Sequence, residues 1–237
     1  LEARGLLDRA VEFLPSPAAL ADRQARGEPL TRAEIGVLLA YSKLVLFADI
    51  VASPLPDDPY FEADLFGYFP ARMRERFAEE IRSHRLRREI IATVVANELV
   101  NRGGPSFVSR LQDATGHGPA EVVRAFVVAR GGFALPELYA GIDALDNKVD
   151  GQAQLGFYEA VVRLLRSATA WLLKHGNPDL PVGEEIEALA AARAAVEPVL
   201  MAILPAFMRE KHEARRDDFA AAGAPAKLAE QLAVLDI

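Results

Sequence analysis

Three groups of polar side chains fall where they could do chemistry. Residues 85–102 read as a helix at about 100° per residue. On that helix Ile90, Ile91, Val94 and Val95 make one apolar face, and Asn97, Glu98 and Asn101 project into the same sector. Residues 31–52 repeat the feature: Ile35, Leu38, Leu39 and Leu46 define a face that also carries Ser42 and Asp49. Polar groups taken from water cost free energy unless they are hydrogen-bonded, so these five are expected to be at least partly buried and partnered. Asn147 and Lys148, beside Asp143 and Asp146, could join them. The simpler reading is a polar seam that sets the register of packed helices. The functional reading is a polar pocket between helices that binds a ligand.

The third group is basic. Residues 70–130 hold 11 arginines against seven acids, a net of +4 inside a chain whose net charge is −7. Its bland reading is a solvated face with intrahelical pairs such as Glu80 and His84 at i,i+4. The sharper reading is a docking face on which Arg72, Arg76, Arg85 and Arg88 meet an acidic partner, because the planar guanidinium fork suits carboxylates.

Other chemistry finds little support. There is no Gly-x-Gly-x-x-Gly and no Gly-x-x-x-x-Gly-Lys, so the common phosphate-cradling loops are absent from the sequence. His212-Glu213 lacks the second histidine of a zincin, and no Gly-x-Ser-x-Gly elbow is present. Asp57-Asp58-Pro59 resembles a metal-friendly acid pair but is better explained as a helix cap. His84, His117 and His175 fall near expected helix ends. The segment 119–130 could pass for a recognition helix, but Val122, Val123, Phe126, Val127 and Val128 leave few polar side chains to reach base edges. No catalytic, cofactor-binding or metal-binding residue is assigned.

Proline and glycine organise the elements. Pro59, Pro70, Pro105, Pro119 and Pro136 each precede a helical pattern, and Gly103-Gly104, Gly116, Gly131-Gly132 and Gly176 sit where helices should stop. No stretch alternates long enough to make a strand. The expected helices span about 2–14, 17–26, 31–52, 59–68, 70–83, 85–102, 105–115, 119–130, 136–147, 151–175, 183–203, 205–222 and 225–235. Thr31 and Glu34 form a capping-box pattern. Pro198 and Pro205 should break the run near the end. The fold class is all-α: a multi-helix bundle at 31–176, an N-terminal helical segment at 1–30, and a C-terminal helical extension at 177–237 packed on the bundle. The last division rests on the turn-rich string HGNPDLPV at 175–182.

The chain has 237 residues, 51% hydrophobic and 26% charged, which excludes a disordered chain. With no cysteine it cannot be a disulfide scaffold or a thiolate zinc site. The acidic balance argues against general nucleic-acid affinity. No apolar run reaches the roughly 18 residues of a membrane span, and Glu2, Arg4, Asp8 and Arg9 break up any signal peptide. Neither a nucleic-acid nor a membrane partner is expected, and cytoplasm is the expected compartment. A start at Leu1 rather than Met reads as an excised or processed chain.

Four ordered strings go beyond generic helix. They are Leu38-Leu39-Ala40-Tyr41-Ser42-Lys43; Leu55-Pro56-Asp57-Asp58-Pro59-Tyr60 followed by Tyr68-Phe69-Pro70; Arg85 through Thr93 continuing from Ala96 to Gly104; and Ala144-Leu145-Asp146-Asn147-Lys148-Val149. In this order and spacing the chain resembles the C-terminal region of the large bacterial NAD-specific glutamate dehydrogenases, over about residues 28–205 and more weakly beyond. The resemblance implies a full-length enzyme that oxidatively deaminates L-glutamate to 2-oxoglutarate and ammonia, with NAD as hydride acceptor bound upstream. The family's catalytic lysine and aspartate have no matching motif here, so none is carried over. It further implies that this segment is non-catalytic and structural, assembly-related or regulatory, with the upstream catalytic region as partner and a homo-oligomeric parent. The end at Asp236-Ile237 falls short of where such enzymes usually stop. The alternative is a stand-alone helical ligand-binding or protein-interaction domain.

Overall fold

The computed structural model describes residue 2 and residues 5–235. Leu1, Arg4, Asp236 and Ile237, which entered the reading of the two ends, lie outside them. The described residues form fourteen α-helices with short 3-10 turns and no strand. The all-α reading holds. The chain divides into two compact units, one of residues 1–57 and 61–110, the other of residues 58–60 and 111–237. The boundary between the two units falls near residue 110.

The first unit contains α1 (Pro17–Ala25), α2 (Arg32–Val51), α3 (Glu62–Gly67), α4 (Ala71–Arg76), α5 (Ala78–Arg82) and α6 (Arg87–Gly103). Helix α2 starts where the capping box places it. The Glu34 N–H donates to Thr31 Oγ1 at 3.3 Å, and the Thr31 N–H donates to Glu34 Oε2 at 2.7 Å. Arg23 of α1 adds two bonds to the same carboxylate, at 2.8 and 3.0 Å. Helix α6 packs against α2 and α3. Leu46 and Ile50 meet a core that includes Phe61, Leu65, Ile91, Val95 and Leu99, all buried.

Two expected helices are broken. Over the described residues 5–14 of the first expected helix the chain makes irregular turns instead of helix. Asp8 Oδ1 accepts the Ala10 N–H at 2.8 Å, and Phe13 is left-handed at φ 53°. Local side-chain bonding of this kind competes with helix, and Pro15 and Pro17 close the segment. Residues 70–83 split at Phe77 (φ −128°, ψ 39°) into α4 and α5. Helix α4 buries nothing, whereas Ile81 of α5 is 3% exposed, so packing of Ile81 rather than a continuous apolar stripe sets the path.

The second unit is built around α8 (Pro119–Gly132). Val122, Val123, Ala125, Phe126, Val127, Val128 and Ala129 are all buried, and a helix with so broad an apolar surface belongs at the centre. Helix α7 (Phe107–Thr115) leads into it. The long α10 (Gly151–His175) and α11 (Val182–Val196) lie against α8. A Cβ at Gly131 would come within 2.8 Å of Ile186, and one at Gly132 within 2.6 Å of Leu189 Cγ, so two glycines let α11 approach closely. Helices α9 (Leu135–Asp143), α12 (Leu200–Ile203), α13 (Ala206–Ala221) and α14 (Ala226–Val234) complete the unit. Pro198 ends α11 in a 3-10 turn, and Pro205 follows α12 at a bend of 109°. No single described helix is long and apolar enough to cross a membrane; residues 182–203 and 206–221 meet that length and composition only as a bent pair.

Candidate functional site

The seam residues are not gathered into one polar pocket. Ser42, Asp49, Asn97 and Glu98 are all half-buried in the first unit. Ser42 Oγ donates to the Leu38 carbonyl of its own helix at 2.6 Å, which satisfies it without reaching α6. Asp49 and Glu98 each engage a partner. Asn97 makes no side-chain hydrogen bond among the described residues, and its half-exposure leaves the amide open to solvent. Asn101 is exposed, contrary to expectation, while Leu99 and Val100 of the same turn are buried, so the covered face at this end of α6 does not include position 101.

Asn147 and Lys148 belong to the second unit and are both exposed. Their role is in the backbone. Asn147 is left-handed at φ 59°, a conformation that asparagine tolerates better than most residues, and the Lys148 N–H closes the turn on the Leu145 carbonyl at 2.9 Å.

The four docking arginines separate by role. Arg72 and Arg85 are exposed and form no ion pair among the described residues, and Arg76 is exposed with its guanidinium 5.3 Å from the Phe77 ring centroid. Arg88 differs. It donates to the carbonyls of Val51 at 2.8 Å and Ser53 at 2.7 Å, and it pairs with the Asp57 carboxylate. A cation on the last carbonyls of α2 satisfies orphan acceptors and complements the helix dipole. Arg88 is therefore a clamp within its own unit rather than a free docking group.

Sequence reasoning passed over the densest polar node. Arg124 of α8 pairs with Glu185 of α11 and donates to the carbonyls of Leu180 at 2.6 Å and Asn177 at 3.2 Å. The other Glu185 oxygen accepts the Asn177 N–H at 2.8 Å. The signal was an arginine inside the apolar string Val122-Val123-Arg124-Ala125-Phe126. Asp58 does related work: Oδ1 accepts the Tyr60 N–H at 2.9 Å and Oδ2 accepts the Val182 N–H at 3.0 Å, at the start of α11. The acid pair 57–58 thus serves an arginine clamp and a helix cap. Among the described residues no group of three or more His, Asp or Glu could hold a metal ion.

A run of exposed apolar side chains lies at the end of α11 and beyond. Val196 is 45% exposed, Val199 48%, Ile203 65% and Phe207 69%. Leu200, Met201, Leu204 and Met208 of the same stretch are half-buried.

Comparison with known proteins bears on these joints. The family profile described as "Glutamate dehydrogenase, C-terminal" matches residues 27–237. The NAD-specific glutamate dehydrogenase of Pseudomonas aeruginosa is 41% identical over 233 residues, 98% of this chain. That of Halomonas elongata is 40% identical over the same length, and that of Mycobacterium tuberculosis 34% over 223 residues. The chain spans only 14% of the length of each of these relatives. The match runs through the capped α2, the arginine clamp, the buried α8 and the C-terminal helices, and the chain belongs to the glutamate dehydrogenase C-terminal family.

Proposed function

We propose that this chain is the C-terminal helical part of a large NAD-specific glutamate dehydrogenase, and that it serves assembly rather than chemistry. The full-length enzyme converts L-glutamate and NAD to 2-oxoglutarate, ammonia and NADH. Among the described residues there is no strand, so none of them forms a strand–glycine turn–helix cradle for a dinucleotide. In this reading NAD and substrate bind upstream.

The observation that carries the proposal is the exposed ridge of Val196, Val199, Ile203 and Phe207. Contiguous exposed apolar side chains mark interaction surfaces, and the relatives' much greater length supplies an occupant. The ridge seats against the upstream catalytic region of the same polypeptide within a homo-oligomer. The test introduces Ile203→Glu with Phe207→Glu into the full-length protein and follows assembly by light scattering and glutamate-dependent NADH formation. Loss of assembly and activity is expected, with the helical content of the 237-residue chain unchanged by the same substitutions. Full activity and unchanged assembly in the variant would sink the proposal. Glutamate oxidation by this chain alone would overturn its non-catalytic half.

A further inference from the structure

A second feature of the C-terminal unit is independent of the parent enzyme's activity. A cleft of about 740 Å³ opens between α10, α11 and α13, within the size range of small-molecule sites. Its floor is apolar, formed by residues that include Leu164, Leu172 and Leu189. Arg163 and Arg166 line it from α10, and Lys211 lines it from α13. No carboxylate is among the described residues that line it. Arg166 and Lys211 are exposed and make no hydrogen bond or ion pair among the described residues. In a chain of net charge −7, three cations from two helices around an apolar floor are a local inversion of sign.

We infer that this cleft binds a small amphipathic organic anion, its apolar body on the leucine floor and its acidic head group between Arg166 and Lys211. The apolar body would gain by leaving water, and the head group would meet donors already placed on facing helices. A hydrophilic anion would leave the floor wet, and a neutral apolar molecule would leave the cations unused.

Trp171 lines the same cleft, is 54% exposed and is the only tryptophan in the chain, so its emission reports occupancy directly. The probe is decanoate below its micellar concentration. Decanol serves as the neutral comparator and inorganic phosphate as the bare anion, with calorimetry alongside fluorescence. Decanoate should give a saturable signal at least about fivefold tighter than decanol, and phosphate should not displace it at equal concentration. Arg166→Gln and Lys211→Gln should each weaken decanoate about two- to fivefold, as exposed charge contacts do, and leave decanol unchanged. Decanol binding as tightly as decanoate, or an undiminished double variant, would remove the anionic half of the inference. Phosphate binding as tightly as decanoate would remove the amphipathic half. Absence of saturable binding by either method would remove the site.

Discussion

Arg124 on α8 and Glu185 on α11 face each other across the turn that joins α10 to α11, and together they hold that turn by its backbone. Arg124 takes the carbonyls of Asn177 and Leu180, and Glu185 takes the Asn177 N–H. Their side chains are 17% and 8% exposed. Removing one partner would strand the other in a site largely closed to water, so Arg124→Leu should destabilise the chain by about 3 kcal/mol. Urea unfolding of Arg124→Leu, Glu185→Leu and the double variant checks this. The double variant should lose less than the two single losses combined, and strict additivity would mean that the pair is not coupled.

The arginine-rich segment gives a prediction that separates clamp from surface. Arg88→Ala should cost about 2 kcal/mol, because two backbone carbonyls and the Asp57 carboxylate lose a charged donor. Arg72→Ala and Arg85→Ala should stay within about 0.5 kcal/mol of the parent chain, as exposed substitutions do. Thermal unfolding of the three variants measures the contrast. Equal effects would mean that Arg88 is no more than a surface charge.

Glu34 predicts a pH dependence. Its carboxyl is held below the usual range, first by the Thr31 backbone N–H and also by Arg23. A folded-state pKa below the unfolded one means that the carboxylate's contribution is complete above the ordinary carboxylate range. It is lost as the pH falls through that range toward the lower folded value. The protection of the amides over residues 32–36, taken relative to the intrinsic exchange rate at each pH, should therefore fall on acidification through this window. In Glu34→Gln that pH dependence should flatten, since the amide can still cap but carries no charge. An unchanged pH profile in the variant would assign the effect to another group.

What the sequence made legible was local. Thr31 with Glu34, and Pro119, Pro198 and Pro205 at helix boundaries, act through their own backbone positions, so type and spacing suffice. The segment of α8 was legible as mostly apolar. Less legible were features decided by partners distant in the chain. Arg88 and Arg72 look alike in a run of arginines, yet only Arg88 lies beside the end of α2. The string 175–182 has every mark of a linker, and Arg124, more than fifty positions earlier, fastens it inside one unit. Periodicity placed Asn101 with Asn97 because it assigns a face without saying how wide a strip of that face its neighbours cover. The exposed Val196–Phe207 run was undecidable from composition, since core and interface draw on the same side chains.

Asn147 tests whether a residue that looked like a seam partner acts through its side chain or its backbone. At φ 59° it occupies a left-handed turn after α9, and its side chain is exposed. Glycine adopts this conformation without a Cβ penalty, so Asn147→Gly should change stability by no more than a few tenths of a kcal/mol. Valine, branched at Cβ, is strongly disfavoured there, and Asn147→Val should cost about 1–2 kcal/mol. A side-chain role predicts the opposite pattern, with glycine as damaging as valine because both lose the amide. Urea midpoints of the two variants, read against the parent chain, decide between them.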